Sequence, residues 1–375
     1  MKILLLYDCV YPESLGGVEH RNHELAAALG GLGHEVTIAG FAVSSRDVAK
    51  NARVLSLGPP GKLYDAHGKR RASEALRFAR ACSGLDVTAY DLVETANIPY
   101  AHLLPLARHC RRAHRPLVVT WHEYWGSYWR RYAGPLRGTA FALVERATAR
   151  VGTAIAVSQL TGERLAARRG RPVEVVPNGI PVARIRAAAA QGLPGPPLFL
   201  AGRLVREKRV DLLLAAIDLL RREFPAPLLA IAGDGPDAER LHQLAAPLGP
   251  HVRFLGRLPA SDDVWRAMGG ARIAVQPSER EGFGLFPLEA MAAGLPVVYC
   301  ASPESAVEEL VGHEQEGLRS TAEPAALATA IGRLLRDDQR CAALGAAAAR
   351  RAAAYDWSEI AARFLAATSA PELPR

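Results

Sequence analysis

The sequence predicts an α/β protein built from two doubly wound domains in series, and three observations lead there. Apolar runs of strand length recur along the chain, each followed by a loop and then by an apolar pattern of helical period. The series breaks at residues 187–197, A-A-A-A-Q-G-L-P-G-P-P, whose Gly and Pro density marks a linker. A fresh strand at 198–201 then restarts the same alternation, and 375 residues suffice for two full cores. The expected division is a first domain 1–186, the linker 187–197, a second domain 198–355 and a closing helix 356–370.

Residues 2–7 are nearly all apolar, as in a parallel strand buried on both faces. A loop at 11–17 leads into a helix over about 18–32, ended by Gly33, and H-E-V-T-I-A-G begins the next strand. The loop carries Gly16 and Gly17 but no G-x-G-x-x-G, so it is either a tight turn or a loop that lets a phosphate or sugar come close. Further strands are expected at 91–94, 117–120, 153–157 and 173–176, with helices near 97–107 and from about 160. Ligands of such sheets sit beyond the carboxyl ends of the strands. Asn97, His122, Ser158 and Asn178 all fall there.

The second series runs strand 198–201, loop 202–208 and helix 210–222. Strand 228–232 ends in G-D-G-P before helix 237–248; strand 252–255 ends in G-R-L-P before helix 262–268. A strand at 273–276, a loop, a short helix and a strand at 296–300 follow, and helical patterns at 324–336 and 338–355 close the domain. The tail, D-W-S-E-I-A-A-R-F-L-A, also has helical spacing. No short repeat is present.

Composition narrows the function classes. The chain is 49% hydrophobic and 22% charged, ordinary for a globular enzyme. A net charge of +8 is spread along the chain, with denser stretches at 69–80 and 108–115, which fits solvated helix faces, anionic ligands or an anionic membrane surface. No nucleic-acid recognition motif accompanies it. The five cysteines, Cys9, Cys82, Cys110, Cys300 and Cys341, form no C-x-x-C, which argues for reduced thiols and a cytoplasmic location. The N-terminal apolar run is too short for a signal peptide, and no stretch of about 18 apolar residues predicts a membrane span.

The most informative stretch is E-G-F-G-L-F-P-L-E, residues 281–289. Two carboxylates bracket a glycine-flanked helix start whose main-chain N–H groups attract an anion. A ligand with phosphates in the middle and hydroxyls at both ends fits that pattern, and a nucleotide-sugar has that shape. Together with G-G-V-E, A-V-S, V-P-N-G-I, G-R-L-V-R-E-K-R and G-D-G-P, this stretch makes the whole chain resemble the family-four retaining glycosyltransferases of GT-B fold. The resemblance implies two Rossmann-like domains facing each other across a cleft, the second holding the nucleotide-sugar and the first most of the acceptor site. It also implies that the last helix crosses back to the first domain.

Residue by residue, the resemblance implies that Arg203 and Lys208 bind the donor diphosphate and stabilise the leaving group. It gives Glu289 the ribose hydroxyls, Glu281 the transferred sugar, and the amides of Gly282, Phe283, Gly284 and Leu285 the sugar and phosphate. His122 becomes the active-site histidine near the anomeric centre, Gly16 and Gly17 lie over phosphates or sugar, and Arg257 and Leu258 are candidates at the nucleobase. Asn97, Glu123, Tyr124 and Trp125 are candidates on the acceptor side. No cofactor or metal is implied, only the nucleotide-sugar as co-substrate. Two departures stand out. Glu94 and Asn97 replace an H-x-H-like pair, and C-A-S-P-E-S replaces a glycine-rich turn after P-V-V.

The expected activity is retaining transfer of a hexose from a UDP- or GDP-sugar to a hydroxyl of a saccharide, a lipid-linked glycan or a small natural product. The rival reading is a noncatalytic partner subunit. A Rossmann dehydrogenase lacks its glycine fingerprint here. The aromatic stretch W-H-E-Y-W-G-S-Y-W-R-R-Y, residues 121–132, leaves three readings open: core packing, a stacking platform for an acceptor ring, or an interfacial anchor at the inner face of the membrane.

Overall fold

The computed structural model describes residues 1–14, 16–63 and 70–369. Leu15, Lys69 of the first basic stretch and Ala370 at the end of the expected closing helix lie outside the described residues. The chain divides into two compact units, 1–179 with 357–375, and 180–356.

The first unit is organised on strands β1 (Lys2–Cys9), β2 (Glu35–Phe41), β3 (Arg46–Ala49), β4 (Ala52–Ser56), β5 (Leu92–Ala96), β6 (Leu117–Trp121), β7 (Thr153–Ala156) and β8 (Glu174–Val175). They form one sheet in the order β3-β4-β2-β1-β5-β6-β7-β8, parallel except for the β3–β4 pair. β1 is buried along nearly its whole length, as its unbroken apolar run requires. The β3–β4 hairpin was not expected from the sequence. Its strands are short, half polar and at the sheet edge, so they carry little periodic signal.

In the second unit, β9 (Leu198–Ala201), β10 (Leu229–Ala232), β11 (Val252–Gly256), β12 (Ile273–Gln276), β13 (Val297–Cys300) and β14 (Gly317–Ser320) form a parallel sheet in the order β11-β10-β9-β12-β13-β14. The order reverses between β9 and β12, so the loops leaving these neighbours part to opposite faces and open a crevice at their carboxyl ends. The first sheet has the same reversal between β1 and β5.

The unit boundary differs from the expected one. Residues expected to be the end of the first domain and the start of the linker instead form the helix Val182–Ala189, which packs on the helix Ser261–Gly269 of the second unit. Apolar burial of Val182, Ile185 and Ala188 outweighs the weak linker signal of four alanines. The chain leaves the first unit after Gly179, where a Cβ would lie 2.5 Å from the Trp357 ring. It returns at Trp357, and the helix Trp357–Thr368 buries Trp357, Ile360, Ala361 and Phe364 in one core with Ile3, Leu5, Leu25 and Leu29. The closing helix therefore belongs to the first unit.

Candidate active site

The second unit brings its motifs together at the β9/β12 reversal. After β9, Gly202 takes φ +150° and its N–H donates to the Ala232 carbonyl at 3.0 Å. Leu204 anchors the loop: its N–H donates to Asp234 O at 2.9 Å, and its carbonyl accepts from Asp237 N–H at 3.0 Å. A Cβ on Gly233 would lie 1.9 Å from Gly202 O, and one on Gly235 would lie 2.3 Å from Leu204 O. The glycines of G-D-G-P thus have a packing reason: they let the β10 loop lie on the β9 loop. Gly233 N–H also donates to Gly256 O at 2.7 Å, which ties in the β11 loop carrying exposed Arg257 and half-buried Leu258.

On this platform Arg203 is exposed and Lys208 half-buried. The Lys208 ammonium pairs directly with the Glu281 carboxylate, which also accepts from the Gln276 side-chain amide. The resemblance assigned these two charges to separate parts of a ligand; here they hold each other. Glu281 is fixed at both main-chain ends, donating from N–H to Glu304 O at 3.2 Å and accepting from Ala306 N–H at 2.9 Å. The turn that lacks the family's glycines supplies these partners. It is locked by Ser302 Oγ, which donates to Glu279 O at 2.6 Å, and by the Arg280–Glu304 pair at 2.9 Å.

The helix Leu285–Ala292 starts from Gly284 at φ +104°, where no side chain caps it. Gly282 leads into that turn, while the Phe283 ring is buried toward Tyr355, so Phe283 offers only its main chain. Glu289 lies on the same helix. Burial pushes its carboxyl up to about 7.

The first unit gathers its residues at strand ends far apart in sequence. Asn97, after β5, is fully buried. Its Oδ1 accepts from His122 N–H at 3.2 Å, and its Nδ2 donates to Glu123 O at 3.2 Å and to the Tyr100 hydroxyl at 3.2 Å. The amide is engaged by the protein, so Asn97 holds the turn that carries His122. Tyr100 in turn donates to Glu145 at 2.8 Å, and Glu145 accepts from Trp125 and Gly126 N–H at 2.9 and 2.7 Å.

His122 sits above a buried charge network that sequence reading missed. Arg21 donates to Glu94 Oε1 at 3.1 Å, to Asn22 Oδ1 at 3.3 Å and to Thr120 Oγ1 at 3.4 Å, and Thr120 donates to Glu94 at 2.5 Å. Arg21 and Glu94 are 3% and 0% exposed. Burial, with Arg21 adding, pushes the His122 imidazole down to about 3, so it is neutral at neutral pH. Its Nε2 is buried and has no hydrogen-bond partner among the described residues; the same holds for Asn22 Nδ2 and Asn178 Oδ1. Ser158 caps the helix Gln159–Arg169 through Thr161 N–H.

Gly16 caps the helix Gly17–Gly31 in extended conformation, and a Cβ there would lie 2.3 Å from Glu19 Oε2. Glu19 is buried and accepts from Ser14 Oγ at 2.5 Å and Cys9 Sγ at 3.1 Å. The aromatic stretch packs mostly on itself. Trp125 lies 4.4 Å from Trp129 and 5.0 Å from Tyr132 by ring centroid, Trp129 is buried against Tyr100 and Phe141, and Tyr124 leans on Trp121. Among the described residues no group of three or more His, Cys, Asp or Glu could hold a metal ion.

The model of glycosyltransferase family 4 matches residues 15–184, and that of glycosyl transferases group 1 matches residues 185–351. The phosphatidyl-myo-inositol mannosyltransferase of Mycolicibacterium smegmatis is 30% identical over 93% of this chain and 89% of its own. The chain belongs to the family 4, group 1 glycosyltransferases. The glycogen synthase of Mycobacterium tuberculosis is 28% identical over 96% of this glycosyltransferase and 92% of its own length. Among solved structures, HepE of Anabaena in complex with UDP and glucose matches with a TM-score of 0.73 at 22% identity, over 99% of this chain and all of that one. The fold is GT-B.

Proposed function

We propose that this glycosyltransferase moves a hexosyl unit with retention from a UDP- or GDP-sugar to a hydroxyl of a saccharide, a lipid-linked glycan or a small natural product, without a metal ion. The observation that carries the reading is the Lys208–Glu281 pair beside the Gly284 helix start, on loops of neighbouring strands at the reversal of the sheet. A diphosphate reaching that helix start meets the Lys208 ammonium and the Arg203 guanidinium, which stabilise the charge gained by the leaving group. Glu281 then accepts from sugar hydroxyls and Glu289 from the ribose, with Arg257 and Leu258 toward the base.

In this reading the acceptor oxygen attacks the anomeric carbon on the face from which the diphosphate departs. The carbon–oxygen bond to phosphate breaks, and the acceptor proton passes to the leaving phosphate oxygen. Neutral His122 serves as a hydrogen-bonding group, since an imidazole pushed down to about 3 is a poor proton store at neutral pH. The family resemblance assigns Gly16 and Gly17 to phosphates or sugar, and Glu123, Tyr124 and Trp125 to the acceptor. The two relatives named above act on an inositol lipid and on glycogen by their names, so likeness of sequence does not choose the acceptor.

Thermal-shift screening against UDP-, GDP-, ADP- and dTDP-sugars tests the donor, because stabilisation follows affinity. Release of nucleoside diphosphate and the anomeric configuration of the product, read by NMR, test the reaction. No stabilisation by any of these donors would turn the reading toward a noncatalytic partner subunit.

A further inference from the structure

The helix Pro135–Thr148 has two unlike faces. Its inward face holds Gly138, Glu145 and Thr148, all buried. A Cβ on Gly138 would lie 2.3 Å from the Trp129 carbonyl oxygen, so the helix is pressed against the preceding helix Tyr128–Ala133. Its outward face carries Leu136, Ala140, Leu143, Val144 and Ala147, which fall in one stripe at helical spacing. Leu136 is 87% exposed, Leu143 60% and Val144 44%, with Phe141 at the margin at 44%. Among the described residues, four of the twelve exposed large apolar side chains thus lie on this one helix, which is a patch and not scatter.

The charges around the stripe are of one sign. Arg130, Arg131, Arg137, Arg146 and Arg150 are exposed, and the only carboxylate between residues 127 and 150, Glu145, is turned inward and spent on the Tyr100 hydroxyl and two main-chain N–H groups. On the helical wheel Arg137 borders one side of the stripe, and Arg146 and Arg150 the other. An apolar stripe with guanidinium groups at both margins matches a surface that is hydrocarbon within and phosphate at its rim. Fourteen residues make a helix of about 21 Å, suited to lying in a lipid interface and too short to cross a core of about 30 Å.

We propose that the exposed face of Pro135–Thr148, with Arg130 and Arg131 beside it, docks on an anionic lipid surface. An interfacial anchor was one of three readings that the sequence left open for the aromatics of residues 121–132. Those rings are turned to one another, and the anchor is the next helix. The docking face does not depend on which sugar is moved.

The test is flotation of the full chain with vesicles of phosphatidylcholine alone and with about a quarter phosphatidylglycerol. The expected result is binding to the anionic vesicles only, weakened by salt. Leu136→Asp with Leu143→Asp should lower partitioning by about a hundredfold or more, since both side chains would enter the apolar layer. Arg137→Gln with Arg146→Gln should lower it about twentyfold, at about fivefold per arginine. Both variants should melt as the unchanged protein does, because all four side chains are exposed. Binding by neither vesicle, equal binding by both, or variants that bind undiminished would overturn the proposal. A dimer in solution that Leu136→Asp with Leu143→Asp converts to monomer, with no vesicle binding, would overturn it in favour of a second copy as the occupant.

Discussion

The two units solve the same problem by different means. In the second, Gly284 to Glu289 supply a helix start and a carboxyl in one short run, and an ion pair spanning 73 residues, Lys208–Glu281, joins it to the loop of the adjacent strand. In the first, it is assembled from buried side chains: His122 is held by Asn97, 25 residues away, near an Arg21–Glu94 pair that is also 73 residues apart. The second depends on main chain and glycine, the first on buried side-chain polarity. Single changes should therefore break the first unit through stability and the second through chemistry.

The largest effect is expected from the buried pair. Arg21→Met leaves Glu94 charged and unpaired in the core, which should cost about 3–5 kcal/mol and show as a lowered Tm. Arg21→Met with Glu94→Leu should recover much of that loss, because removing both charges removes the desolvation cost of each. A double variant no more stable than Arg21→Met alone would show that the network does not act as a pair. In the second unit, Lys208→Ala should leave Tm nearly unchanged and cut kcat about a hundredfold or more, the scale of losing one preorganised donor at a developing charge. Glu289→Ala should instead raise the donor's Kd.

Asn97→Ala comes next. It removes the acceptor for His122 N–H and the donor to Glu123 O, so about 1–3 kcal/mol of stability should go. KM for the acceptor should rise with it if the His122 turn borders the acceptor. A stable variant with unchanged kinetics would remove Asn97 from the site.

These cases also explain how much was legible in the sequence. The strands of both sheets that bear sites announced themselves as apolar runs, and 281–289 did so as a motif, because in each the signal lies within one short run of residues. Arg21 was hidden because a charge in an amphipathic helix reads as surface; nothing within a few residues says that Glu94 and Thr120 wait beneath it. Asn97 was noticed for its place at a strand end, but its hold on the His122 turn shows only in the fold. The helix Val182–Ala189 was missed because a run of alanines beside Gly and Pro resembles a linker until the surface it packs on is known. The apolar face of Pro135–Thr148 was unreadable for another reason: an apolar stripe on a helix ordinarily faces the core, and only the structure shows that this one is left uncovered.

The smallest effect separates the units by pH. Glu289 has a folded pKa raised from 4.5 to about 7 by burial, so between those values the folded state binds more protons than the unfolded one. Stability should then fall as pH rises through that window and level off above it. Glu289→Gln lacks the titrating group, so its Tm advantage over the unchanged protein should grow from pH 4.5 to 7 and then stay constant. Donor binding should run the other way, since ribose hydroxyls donate to the charged form: affinity rises with pH up to about 7 in the unchanged protein and is flat in Glu289→Gln. His122, lowered from 6.5 to about 3, contributes stability that is gained between those values and constant above 6.5. Above about pH 8 neither group should tilt the curve, and a His122→Asn variant should keep the pH profile of donor binding. A profile that changed in His122→Asn but not in Glu289→Gln would move the titrating group from the second unit to the first.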